Sequence, residues 1–154
     1  MKKLKTLRRG AVLAALTLSL TALSGTTANA AESTPRSYTD STFSFILGQK
    51  GATSGTAWRS KDTSTSSYMH VSSSSGTSPL LFIDGARNSN GSGTKNCTNS
   101  GNVRAPGVGS YEIHNTVYEQ GYRFARLTSW ADQGAGRLSG KWSSDCQGNY
   151  TDLN

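Results

Sequence analysis

His70 and His114 are the only two histidines of the chain. An imidazole changes charge near neutral pH, so it is the side chain most readily recruited for proton transfer. Glu112 lies two residues before His114 and Glu119 five residues after it, and Arg123 and Arg126 follow. A carboxylate and an imidazole working as acid and base, with an arginine to hold a phosphate, would describe a small extracellular nuclease or glycan hydrolase built on His114 and Glu112. The plainer reading makes both histidines rim residues satisfied by local hydrogen bonds. The sequence permits the catalytic constellation without requiring it.

Other chemistries find less support. The chain has no H-x-x-x-H, no C-x-x-C and no calcium loop with alternating carboxylates, so neither metal ligands nor a cofactor is expected. Asp84, Asp132 and Asp145 sit in turn-like contexts, where aspartate commonly bonds its own backbone. Serines are numerous, but no G-x-S-x-G occurs. Three tryptophans in so polar a chain are more suggestive. Exposed rings on a rigid scaffold stack on sugars or anchor protein interfaces. Trp58 stands beside Arg59 and Lys61 and is the ring expected at the surface, whereas Trp130 and Trp142 are expected in the core. Trp58, Arg59 and Tyr68 are therefore the candidate binding residues.

The elements that must position these residues begin after a leader. Met1–Arg9 carries five basic residues and no acidic one, Ala11–Leu23 is an apolar run, and Ala28-Asn29-Ala30 is a small-x-small site. This pattern predicts a signal peptide over 1–30, cleaved after Ala30, and a secreted protein with no membrane span left. Leu7 before Arg8-Arg9 and Gly10-Ala11 after it favour the general secretory route over the twin-arginine one. The full chain has 16 Lys and Arg against 9 Asp and Glu, but five of the basic residues belong to the leader. The surplus that remains is small and scattered, which argues against a nucleic-acid partner.

Cys97 and Cys146 both lie in the exported part. An even count in an oxidising compartment predicts one disulfide between them. It would close a loop of about 50 residues and contribute roughly 4 kcal/mol in the chain-entropy account.

Residues 31–41 read as a flexible arm, and residues 42–154 as one β domain. Thr42–Leu47 alternates with Phe43, Phe45 and Leu47 on one face. Ser66–Ser72 follows, with Met69 and Val71 inward and Tyr68 and His70 outward, and then Pro79–Asp84. Asp84-Gly85 reads as a turn, and Ser89–Gly109 as a long irregular loop in which Val103 marks a short strand. Gly109–Trp130 reads as a β-hairpin turning at Glu119-Gln120-Gly121, with Gly121 at positive φ. Arg137–Trp142 closes the domain, with Gly140 allowing a bulge. Short strands, Gly/Ser turns and no amphipathic helix predict an all-β fold, a small sandwich or barrel stapled by the disulfide.

Several patches resemble a group of small secreted proteins of Gram-positive bacteria with no assigned activity. They are Arg59-Ser60-Lys61-Asp62 followed by Ser66-Ser67-Tyr68, the segment from Ile113 to Leu127, and Gly140-Lys141-Trp142-Ser143. The resemblance implies a secreted single domain and carries no site residue with it. The expected role is an extracellular, monomeric, non-enzymatic binding domain for the cell envelope, a polysaccharide or a protein ligand outside the cell. A protease inhibitor presenting the Ser89–Gly109 loop, a secreted toxin and the small hydrolase stand as alternatives.

Overall fold

The structure is a computed structural model that describes residues 38–154. The expected leader and most of the expected arm lie outside these residues. Among the described residues there is no helix, and hence none long and apolar enough to cross a membrane. Eleven strands follow in chain order: β1 (Ser41–Leu47), β2 (Thr53–Gly55), β3 (Arg59–Ser60), β4 (Ser67–Gly76), β5 (Leu80–Ala86), β6 (Lys95–Asn96), β7 (Val103–Arg104), β8 (Gly109–Ile113), β9 (Phe124–Trp130), β10 (Gly136–Ser143) and β11 (Thr151–Asp152).

The strands form two open sheets. The first runs β1-β10-β4-β8-β11, antiparallel except that β11 joins β8 in parallel. The second runs β2-β9-β5-β6, with β3 also on β9 and β7 also on β5. Both sheets feed one hydrophobic core. Phe43, Phe45, Met69, Val71, Ile113, Leu138 and Trp142 enter it from the first sheet, and Leu81, Ile83, Ala125 and Leu127 from the second. The period-two pattern holds where it is clearest. Phe43, Phe45 and Leu47 are buried on β1, while Ile46 between them is 64% exposed. On β4, Ser67, Met69 and Val71 are buried and Tyr68 and His70 are not. The expected bulge is present, a register shift between Ser139 and Gly140. A β-carbon on Gly140 would meet the His70 carbonyl oxygen at 1.9 Å, so only glycine lets β10 and β4 approach there.

Several expectations are corrected. Gly109–Trp130 is not a hairpin, because β8 pairs with β4 in one sheet and β9 with β5 in the other. The crossing is made by buried Asn115 and partly buried Thr116. Asn115 donates through Nδ2 to Ser67 Oγ and to the Ile113 carbonyl, both at 3.1 Å, and Thr116 N donates to the Cys97 carbonyl at 2.9 Å. Tyr122 N then closes onto the Val117 carbonyl, with Gly121 at φ +79°, and Arg123 N donates to the Ala86 carbonyl on the second sheet. Asp84-Gly85 is no turn but the interior of β5, paired with Arg126 and Ala125. Trp130 is 41% exposed rather than a core anchor, because it lies on the outer face of β9, whereas Trp142 is buried as expected. Ser89–Gly109 is not a freely presented loop, since β6 and β7 tie both of its arms to β5.

The disulfide between Cys97 and Cys146 is also corrected: both thiols are free and buried. Cys97 is held on the second sheet, its N–H donating to the Ile83 carbonyl at 2.8 Å and its sulfur packed against Gly85. Cys146 follows β10 of the first sheet, its N–H donating to Thr65 Oγ1 at 3.1 Å. Their backbones are fixed by separate sets of bonds, which leave each sulfur in its own surroundings.

Candidate functional site

The outer face of the first sheet gathers the reactive side chains. Because Met69, Val71 and Ile113 point into the core, their neighbours point out. Register then sets Tyr68 of β4 opposite Glu112 of β8, and His70 opposite Ser110. The short parallel strand β11 brings Asp152 opposite Glu112. That strand is anchored on its other face by Leu153, which packs against the core while its N–H donates to the Glu112 carbonyl at 3.1 Å.

His114, one residue past β8, is the hub. Its Nδ1 is 2.9 Å from Ser66 Oγ, and its Nε2 is 3.3 Å from Asp152 Oδ2 and 3.9 Å from Glu112 Oε1. Asn154 fixes its backbone: Oδ1 accepts from His114 N at 2.8 Å, and Nδ2 donates to the His114 carbonyl at 3.1 Å. These groups border a cavity of about 460 Å3 whose lining includes Ser66, Glu112, His114, Cys146, Gln147 and Asn149. Gln147 also borders a neighbouring cavity of about 160 Å3, where Tyr68 and Tyr150 sit with Tyr38 and Asp40. The Tyr68 and Tyr150 rings lie 4.7 Å apart, tilted by 46°. The two cavities lie along the segment from Cys146 to Tyr150 and share Gln147; together they are called the groove.

Beneath that groove lies a sealed ionic cluster. Lys61 Nζ donates to Asp145 Oδ1 at 2.8 Å, and neither side chain is exposed. Nζ also donates to the Thr65 carbonyl. Asp145 further accepts from Thr63 Oγ1 at 2.7 Å and from the Asp62 N–H at 3.0 Å. Burial pulls the Lys61 ammonium below its ordinary range, and the bond to Asp145 opposes that pull without cancelling it. The cluster ties the segment after β10 to residues 61–65, part of the tie the expected disulfide would have made.

Of the residues singled out in the sequence, Glu112, His114 and Tyr68 are brought to the groove. His70 shares the face but bonds Ser110 Oγ at 3.0 Å rather than joining His114. Trp58 and Arg59 belong to the second sheet's side. Trp58 packs against Gly91 on one side and under the Arg126 guanidinium, 4.7 Å from its ring, on the other. Arg126 in turn donates to buried Asp84 at 3.0 Å. Arg59 donates to Ser41 Oγ and, at 2.7 Å, to the Thr39 carbonyl, holding the start of β1. Arg123 stacks on Tyr118 at 4.3 Å. Sequence reasoning missed Ser66, Asp152 and Tyr150. The last two stand in a polar tail whose single apolar residue, Leu153, was the available signal for a docked strand.

The groove's chemistry follows from its groups. Burial raises the Cys146 thiol above its ordinary range, and Glu112 nearby pushes the same way, so Cys146 is a protonated, weak nucleophile. Burial likewise raises Cys97. Among the described residues no three His, Cys, Asp or Glu side chains are placed to hold a metal ion. Remaining are an imidazole between a hydroxyl and a carboxylate, and two tilted phenol rings in contact.

A family model described as a protein of unknown function (DUF2712) matches residues 26–146. The chain belongs to that family. No curated protein and no solved structure matches it. The matched span of this DUF2712 member includes Lys61, Ser66, Glu112, His114 and Asp145 and ends before Tyr150 and Asp152.

Proposed function

We propose that the chain is an exported β-sandwich binding domain that holds a polysaccharide of the cell envelope in the groove on its first sheet. The observation that carries this reading is the Tyr68–Tyr150 ring pair, which shares a cavity with Asp40 and stands in register beside Glu112. Sugar rings present apolar C–H faces to aromatic rings and hydroxyls to carboxylates, and this groove offers both surfaces side by side. Export rests on the leader pattern of residues 1–30. Trp58, the ring first expected to bind, is covered on both sides and offers less surface than Tyr150, which is 40% exposed.

Pull-down of the mature protein on purified cell wall and on insoluble polysaccharides tests the proposal. The wild type is expected to be retained, Tyr150→Ala to be lost to the supernatant, and Trp58→Ala to behave as wild type. Equal retention of Tyr150→Ala and wild type, or retention of neither, would remove the assignment.

A further inference from the structure

We infer that Ser66, His114 and Asp152 form a hydrolytic relay, with Ser66 as nucleophile toward acyl esters. The three residues come from three separate segments: the residue before β4, the residue after β8, and β11. Ser66 and Asp152 contact opposite ring nitrogens of His114. Ser66 Oγ lies 2.9 Å from Nδ1, and Asp152 Oδ2 lies 3.3 Å from Nε2. A nucleophile hydrogen-bonded to a base, which is itself oriented by a carboxylate, is the arrangement that activates a serine. With the ring proton on Nε2, that N–H faces the Asp152 carboxylate as an ion-pair contact, and Nδ1 is free to accept from Ser66. Glu112 Oε1, at 3.9 Å, adds a second carboxylate on the same side. The ring is held from behind, since both backbone groups of His114 are bonded to Asn154.

The cavity of about 460 Å3 in front of Ser66 has room for a small acyl group. Gln147 and Asn149 line it, and their amide groups are neutral donors for the oxygen of a tetrahedral intermediate. In the first step the Ser66 Oγ–H proton passes to Nδ1 as Oγ bonds the acyl carbon. The ester C–O bond then breaks, and the same proton leaves on the departing alkoxide. In the second step water attacks the acyl carbon, gives a proton to Nδ1, and Oγ leaves and recovers that proton. The sum is ester plus water to alcohol plus carboxylic acid, with nothing oxidised or reduced. Ser66 and His114 are the catalytic residues and Asp152 a positioning residue. The substrate class, an O-acylated polysaccharide, rests on the binding role proposed above; the nucleophile does not.

Two probes separate these claims. A fluorophosphonate applied to the wild-type protein, followed by peptide mapping, is expected to leave one adduct, on Ser66. Hydrolysis of p-nitrophenyl acetate is expected to fall at least about 100-fold in Ser66→Ala and in His114→Gln, as loss of a nucleophile or general base requires. Asp152→Asn is expected to lower kcat while leaving KM within about twofold, the split expected when only transition-state stabilisation is removed. Absence of an adduct on Ser66, or hydrolysis that persists in Ser66→Ala, overturns the relay. The adduct is read on the unmutated protein, so a variant that fails to fold does not change that outcome. An adduct on Ser66 without retention by polysaccharide keeps the relay and removes the substrate class; retention without an adduct does the reverse.

Discussion

Two polar clusters lie close together in this fold, and they differ in almost every respect except composition. The Lys61–Asp145 cluster is sealed: both side chains are fully buried, and the Asp145 carboxylate accepts from Lys61, Thr63 and the Asp62 backbone. The His114 cluster is open. The His114 and Asp152 side chains are each 44% exposed, and the groups facing them border a cavity. A buried charge pair costs several kcal/mol of desolvation per ion and persists only where geometry and further hydrogen bonds offset it. Lys61 and Asp145 meet that requirement by committing their bonding capacity to each other and to the chain around them, which makes the cluster a structural tie. His114 and Asp152 keep contact with solvent, and Ser66, itself largely buried, borders the cavity together with His114. Titratable side chains brought together from distant segments do not by themselves mark a site; access does.

This contrast is broken or sharpened most strongly by removing one member of the sealed pair. Asp145→Ala strands the Lys61 ammonium and is expected to cost about 3–5 kcal/mol in urea unfolding, the usual penalty for an uncompensated buried charge. The double change Lys61→Met with Asp145→Leu is expected to recover much of that loss. By comparison, His114→Gln in the open cluster is expected to stay within about 0.5 kcal/mol of wild type, as solvent-facing substitutions do. Equal losses at the two sites would erase the distinction.

The thiols give an intermediate effect. Both are held above the ordinary thiol range by burial. A raised acid pKa means that the unfolded chain releases these protons first. Their contribution to stability is therefore full below the unfolded value of about 8.5 and declines as pH rises from there toward the folded values. Iodoacetamide at pH 8 is expected to label neither cysteine until urea unfolds the chain, and then to label both. An intact mass two hydrogens lighter, with no labelling in urea, would restore the disulfide.

The smallest effect belongs to the exposed pair of Arg104 and Asp132, joined at 2.6 and 2.7 Å. The Arg104 bond holds the Asp132 carboxyl below its ordinary range. Its contribution is thus present above the unfolded carboxyl value near 3.9 and is lost as pH falls through the folded one. Asp132→Asn is expected to flatten the acid limb of the stability profile slightly, and added salt to shrink the difference. A change as large as that of Asp145→Ala would show that exposure is a poor guide here.

Legibility in the sequence followed the same division. Alternation located β1 and β4, and short runs with apolar anchors located β5 and β10, to within a few residues, because a strand carries its burial pattern locally. The Gly140 bulge and the positive φ of Gly121 were legible for the same reason: each is a backbone requirement met by one residue. Pairing was not legible. Gly109–Trp130 contains two strands and a turn, which is the local pattern of a hairpin. What sends β8 and β9 to different sheets is Asn115 bonding Ser67 and Thr116 bonding Cys97, contacts across 48 and 19 residues. The cysteines show the limit from another side: an even count predicts a bridge, yet the distinct anchoring of Cys97 and Cys146 leaves two thiols.

The sequence alone determined that this DUF2712 chain is built of β-strands, that Phe43, Phe45, Leu47, Met69, Val71 and Trp142 face its core, and that Glu112, His114 and Tyr68 stand on outward positions. Those properties depend on residue type and a period of two, both readable over a few residues. Tertiary structure alone decided that Lys61 meets Asp145 across 84 positions, that β11 returns to set Asp152 beside Glu112, and that Ser66 reaches His114. Such meetings are fixed by sheet register and crossovers, where the energy of one shared core, rather than any local preference, selects which distant segments become neighbours.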